Sequence, residues 1–287
     1  MEEIKNLPNF IICGAQKGGT TSLFYYLKEI PSIGISPVKE IHYFDLNYDK
    51  GISWYERHFE VFQNKGYKLI GEATPSYMYC EDVPKRIYDL IPTTKLIFML
   101  RDPIDRAYSH YSHTVVRGYE CYSFEKAIER EEQRLSNCSR SRRQRYSYID
   151  RGKYIVQLKR FFNYFPREQM LILITEELKE KPDLVKKQVF EFLGLNINIH
   201  DQDWHAIHYK GQQPRIRKLQ KFLGILPDTS ICNFLRSTIN HFNITDGYPS
   251  INPETKQRLI RYFEPYTIEL EDELGKKITY WNREHSV

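Results

Sequence analysis

A lysine, three glycines and three hydroxyl residues crowd into one short stretch near the start of the chain. The run Phe10-Ile-Ile-Cys-Gly-Ala-Gln-Lys17-Gly18-Gly19-Thr20-Thr21-Ser22 is apolar at first and then rich in groups that hold an anion. Glycines let backbone N–H groups approach a phosphate closely, and a following helix N-terminus adds partial positive charge. Lys17 adds a full charge, and Thr20, Thr21 and Ser22 add donors. In a nucleoside triphosphate loop the lysine directly precedes Ser or Thr. Here two glycines separate Lys17 from Thr20, which puts the lysine at the outer edge of the loop, where a transferred group would lie.

Three further segments carry chemistry. In Val38-Lys-Glu40-Ile-His42-Tyr-Phe-Asp45, a carboxylate and an imidazole stand close enough in sequence for either to serve as a general base. In Leu69-Ile-Gly-Glu72-Ala-Thr-Pro-Ser76, an acid and hydroxyls follow an apolar run. Glu72 there either orients Lys17 or an acceptor group, or belongs to a strand-end turn with local hydrogen bonds. In Lys95-Leu-Ile-Phe-Met-Leu-Arg101-Asp-Pro103, a strand pattern ends in arginine and Pro103 opens a helix that carries Ser109. The planar guanidinium of Arg101 suits a phosphate. Kinases and related enzymes use an acid to hold Mg²⁺, and Asp102, just past Arg101, is poorly placed for that task. Phosphate sites at Lys17–Ser22 and at Arg101 with Ser109 would suit a nucleotide phosphorylated at both ends of its ribose.

These residues need a frame. Strands are predicted at 10–13, 68–71, 95–100 and 170–175, each apolar on both faces, as parallel strands covered on both sides are. Helices are predicted at 20–29, 83–91, 104–116, 124–135, 154–164, 184–193, 217–222 and 254–274. This alternation implies an α/β fold, a central, mostly parallel sheet flanked by helices. Ligands on such sheets bind beyond the C-terminal strand ends. Neither a repeat nor a flexible linker interrupts the chain, so a single domain over 1–287 is expected. The basic run 136–145 reads as an exposed loop, or more sharply as a lid or docking surface for an acidic acceptor.

Composition narrows the class. The chain has 287 residues, 41% of them hydrophobic and 28% charged, with a formal net charge of +5. That charge suits a small anionic ligand better than nucleic acid, for which a more basic domain is expected. No transmembrane segment is predicted, and the polar, acidic start does not resemble a secretory signal. The cysteines 13, 80, 121, 138 and 232 lack metal-ligand spacing and read as free thiols in the cytoplasm. The aromatics Tyr43, Phe44, Tyr48, Trp54, Tyr55, Tyr77 and Tyr79 either pack in the core or wall an apolar acceptor cleft.

Taken together, Lys17-Gly-Gly-Thr-Thr-Ser, Lys39-Glu-Ile-His-Tyr-Phe-Asp, Gly71-Glu-Ala-Thr-Pro and Leu100-Arg-Asp-Pro…Arg-Ala-Tyr-Ser resemble the sulfotransferase family. The likeness is to its heparan sulfate branch and bacterial relatives, and it extends over nearly the whole chain. The resemblance implies a P-loop-like fold and a donor, 3′-phosphoadenosine 5′-phosphosulfate, with adenosine 3′,5′-bisphosphate as product and no metal. It implies that Lys17, Gly18, Gly19, Thr20, Thr21 and Ser22 hold the 5′-phosphosulfate. Arg101 and Ser109 would hold the 3′-phosphate, and Lys210 and Gly211, assisted by Arg215, would close over it. Glu40 matches the position of the branch's base, with His42 beside it. The acceptor would be a small molecule or a carbohydrate. The chain departs from the branch at Ala73, where a lysine is frequent. That change disfavours a sulfated glycan. Two rival readings are an ATP- and Mg²⁺-dependent small-molecule kinase, and a non-catalytic module binding the bisphosphate or RNA through the arginines of 140–145.

Overall fold

The computed structural model describes residues 7–196, 204, 211–226, 229–247 and 249–281. Two compact units are distinguished by their internal contacts. One comprises Met1–Arg101, Lys153–His208 and Tyr266–Trp281, and the other Asp102–Gly152, Tyr209–Pro265 and Asn282–Val287.

The first unit is built on a parallel sheet of β1 (Phe10–Gly14), β2 (Ile33–Ile35), β3 (Leu69–Ala73), β4 (Lys95–Leu100) and β5 (Met170–Ile174), in the order β2-β3-β1-β4-β5. Ile12 of β1 lies opposite Ala73 on one side and Ile97 on the other. Side chains alternate across a strand, and the sequence uses both sets. Ile11, Cys13, Leu96, Phe98 and Leu100 pack on one face with Ile155, Leu158 and Phe161 of the Tyr154–Phe162 helix. Phe10, Ile12, Ile97 and Met99 pack on the other with Leu23, Phe24 and Leu27 of the Thr20–Lys28 helix. Covered on both faces, the strands carry no polar stripe. This is the α/β architecture that the sequence predicts.

In the second unit, Ile104, Ala107, Tyr108 and Tyr111 of the Pro103–Val116 helix form a core with Phe124, Tyr148, Leu259 and Phe263. The helix starts where Asp102 accepts hydrogen bonds from the Ile104 and Asp105 N–H groups at 2.8 and 3.1 Å. Asp102 is thus a helix cap. A short antiparallel pair, β6 (Gln212–Pro214) and β7 (Ile244–Asp246), supplies this unit's strands among the described residues.

Several elements depart from expectation. The helix predicted at 124–135 breaks at Arg130 into Phe124–Glu129 and Glu131–Leu135. The break turns Glu131 inward, where its carboxylate accepts the Ile149 and Asp150 N–H groups. The basic run is not a loop at its centre. Arg140–Tyr146 is helical, started by Ser139, whose hydroxyl accepts the Arg142 N–H at 3.3 Å. With no apolar side to its pattern, the run carries no helical period. β2, β6, β7 and the Ser230–Asn243 helix were not predicted. The three strands have three residues each, too few for a pattern to emerge.

Candidate active site

The loop after β1 is fixed by backbone contacts to β4. The Ala15 N–H donates to Met99 O at 2.8 Å, and the Gly18 N–H turns back to Ala15 O at 2.9 Å. Lys17 sits at the crest with φ 68° and Gly19 follows with φ 89°. Gly19 meets that conformation without steric cost. Gly18 must be glycine for another reason: a Cβ there would run into the Met99 carbonyl oxygen. Thr175, just past β5, holds the loop from beneath. Its Oγ1 lies 2.5 Å from Gly18 O and 2.9 Å from Leu100 O, so its proton serves both carbonyls. The Thr20–Lys28 helix starts from Gly19 with no side chain capping its N-terminus. Its first-turn amides therefore have no side-chain acceptor of their own. Thr20 is buried, while Thr21 and Ser22 are half-buried. The donors here, an ammonium, amides and hydroxyls, fit a phosphate or sulfate group.

Beside this loop lies the second predicted segment. Lys39 Nζ donates to Thr21 Oγ1 at 3.2 Å and stands 3.9 Å from Glu40 Oε1. Burial lowers the Lys39 pKa, and the Glu40 charge opposes that shift. The sequence grouped Lys39 with Glu40 but gave it no role, and the structure makes it the link between loop and acid. His42 opens the short Tyr43–Leu46 helix with φ 57°. Its Nε2 is 3.3 Å from Glu40 Oε2 and its Nδ1 is 3.0 Å from Asp45 Oδ2. Ser76 Oγ donates to that same Asp45 oxygen at 2.6 Å. Burial works against charge on His42, but its hydrogen bonds to Asp45 and Glu40 outweigh it and push the pKa up to about 10. That shift favours the imidazolium form of His42 at neutral pH.

Glu72 is fully buried and accepts three hydroxyls: Tyr55 at 2.5 Å and Tyr77 at 3.2 Å on Oε1, Thr74 at 2.8 Å on Oε2. Burial pushes its pKa up to about 7 against those hydrogen bonds. The Tyr77 hydroxyl also accepts the Tyr43 N–H at 2.9 Å, so the buried acid steadies the helix that follows His42. The local hydrogen bond expected from Thr74 is observed, while Tyr55 reaches Glu72 from 17 residues away and Ser76 bonds Asp45 instead. The partners of Glu72 are hydroxyls, not Lys17, among the described residues. The same cluster decides the fate of most of the aromatics. Tyr43, Phe44, Tyr55, Tyr77 and Tyr79 are buried, with Tyr43 and Tyr55 stacked at 4.4 Å, so they are core rather than a cleft wall.

The remaining predicted residues are located one by one. Arg101 is half-buried at the end of β4, and its carbonyl accepts the Tyr154 hydroxyl at 2.8 Å. Ser109 is buried on the Pro103–Val116 helix. Gly211 O accepts the Gly247 N–H at 2.8 Å, and exposed Arg215 donates its N–H to Asn243 O at 2.6 Å. Lys210 lies outside the described residues. Sequence reasoning missed Thr175, and it placed Asp45 and Ser76 in two separate segments without pairing them. Thr175 acts on the loop after β1 and Ser76 on Asp45, each across a long stretch of sequence that no local pattern bridges.

Comparisons with known proteins identify the family. A family model described as Sulfotransferase domain matches residues 7–239. The chain is similar to the membrane-associated sulfotransferase kil1 of Dictyostelium discoideum, 40% identical over 141 residues, covering 47% of this chain and 30% of that protein. It is also similar to heparan sulfate glucosamine 3-O-sulfotransferase 3A1 of Homo sapiens, 30% identical over 271 residues, covering 93% of this chain and 61% of that protein. It thus spans less than two thirds of the length of either. Among solved structures, the sulfotransferase from Alicyclobacillus acidocaldarius covers 96% of this chain and 99% of its own, with 28% identity and a TM-score of 0.69.

Proposed function

The chain belongs to the sulfotransferase family, and on that premise we propose that it moves a sulfuryl group from 3′-phosphoadenosine 5′-phosphosulfate to a hydroxyl or amine of a carbohydrate or small-molecule acceptor. One observation carries this reading: Lys39 ties a carboxylate, Glu40, to the hydroxyl of Thr21 on an anion-binding loop. An acid beside a phosphate loop is what in-line transfer to a hydroxyl needs.

The donor supplies the sulfuryl group and an anionic leaving phosphate. Lys17 and the amides of the Gly18–Thr21 turn meet the charge that grows on the leaving oxygen, and one preorganised donor contributes about 3 kcal/mol to such a step. Glu40 takes the acceptor proton on Oε1. His42 is a positioning residue: as an imidazolium it holds Oε2 of Glu40, and Asp45 and Ser76 hold the imidazolium. No metal is required, since Lys17 and the loop take the part Mg²⁺ plays in kinases. Arg101, Ser109, Lys210, Gly211 and Arg215 are assigned to the 3′-phosphate by family likeness. By the same likeness the sulfotransferase domain spans 1–287 as one domain.

Glucosamine in the name of the human relative supports a carbohydrate acceptor. Ala73, buried in the core, supplies no cation for a sulfated one. All five cysteines are free thiols, which supports a reducing, cytoplasmic setting. No helix among the described residues is long and apolar enough to cross a membrane.

Calorimetric titration tests the donor. Adenosine 3′,5′-bisphosphate is expected to bind without metal and more tightly than ADP or ATP. A preference for ATP with Mg²⁺ would replace this reading with a kinase.

A further inference from the structure

The second unit exposes an apolar ridge that nothing in sulfuryl transfer uses. On the Arg217–Ile225 helix, Phe222 is 60% and Ile225 74% exposed; on the Ser230–Asn243 helix, Phe234 is 71% and Phe242 69% exposed. Such large side chains are ordinarily the first to be buried, and contiguous exposed ones mark an interaction surface.

The two helices are fixed to each other, so the ridge is not a product of loose ends. Arg236 Nε donates to Leu223 O at 3.0 Å, and a second guanidinium nitrogen donates to Leu226 O. Gln220 bonds Asn240 at 3.0 Å and Asn243 at 3.0 Å. Gln220 and Leu223 are buried, while Lys218, Lys221, Phe222 and Ile225 are exposed at helical spacing. On the second helix Phe234, Leu235, Thr238 and Phe242 are exposed at similar spacing.

Charge selects the occupant. From 211 to 245 the sequence has Arg215, Arg217, Lys218, Lys221 and Arg236 against one acid, Asp228. A basic helix with aromatic and aliphatic side chains on its exposed side matches the water–lipid boundary of an anionic bilayer. The apolar groups enter the acyl region and the ammonium groups stay with the headgroups. We propose that this helix pair docks the protein on an anionic lipid surface, through Phe222, Ile225, Phe234 and Phe242 with Lys218 and Lys221. The inference does not depend on the identity of the sulfuryl acceptor.

The test is flotation of the full chain with phosphatidylcholine vesicles, with and without phosphatidylglycerol. The chain is expected to float with the anionic vesicles alone and to be released by salt. Phe222→Ser/Phe242→Ser and Lys218→Glu/Lys221→Glu should each weaken binding by about tenfold or more. Both variants should retain bisphosphate binding, which shows that they are folded. Failure of the wild-type chain to float, or flotation of both variants like wild type, overturns the proposal. So does a dimer in sedimentation velocity that Phe222→Ser/Phe242→Ser dissolves, because a second copy would then cover the ridge.

Discussion

Single side chains divide here into those that meet charge and those that hold others in place. On the proposed mechanism Lys17 meets charge, so Lys17→Ala should lower kcat by about 100-fold or more. Glu40→Gln should cost a similar factor in kcat at neutral pH, and wild-type turnover in that variant at every pH would remove Glu40 as the base. His42 belongs to the second group and leaves a different signature. Its ordinary pKa is 6.5 and its folded value is about 10, so the folded state binds the proton more tightly. The resulting stability is fully present below about pH 6.5 and is lost as the pH rises through about 10. The stability gap between wild type and His42→Gln, read from urea melts, should shrink across that window by roughly 1–3 kcal/mol, allowing for partial exposure. A constant gap would mean that His42 is not held as an imidazolium. The sequence displayed Lys17, Glu40 and His42 openly, because each lies in a short run of unusual composition. It left open which of Glu40 and His42 is the base. Asp45 and Ser76 favour Glu40 by holding His42, and Ser76 reaches that side chain's partner from 31 residues beyond Asp45.

Elements are held by contacts of the same long-range kind. Thr175 joins the loop after β1 to the end of β4, and a valine there would keep the shape while removing the proton shared by Gly18 O and Leu100 O. Thr175→Val should cost about 1–2 kcal/mol in stability. It should also raise KM for the donor more than it lowers kcat, because the loop loses its support and not its charges. Steady-state kinetics alongside thermal melts would check both effects. At the start of the Pro103–Val116 helix, Asp102→Ala should cost about 1 kcal/mol, the loss of a cap, and should leave metal dependence unchanged. The strands β1, β3, β4 and β5 were legible as apolar runs because both of their faces are covered. β2 was not: its Ile33-Gly-Ile35 offers two apolar residues and a glycine. The Arg140–Tyr146 helix was hidden for the opposite reason, having no buried residue to give it a period.

For the molecule as a whole, the net charge of +5 and the free thiols describe a protein that no disulfide staples. Its stability should then respond to its ligand by mass action. Adenosine 3′,5′-bisphosphate at a hundred times its Kd should stabilise the fold by about 2.7 kcal/mol, seen as a rise in Tm, whereas ATP with Mg²⁺ should raise it far less. Equal shifts would count against the proposed donor. The order of the strands adds a consequence for synthesis. The anion-binding loop leaves the ribosome before both of its supports, Met99 and Thr175, and Thr175 lies 157 residues beyond Gly18. Nascent chains that stop short of Thr175 carry every glycine of the loop and lack its support. The loop is therefore made before its support and finished after it, and on the proposed function the growing polypeptide should not hold nucleotide firmly until Thr175, just past β5, has emerged.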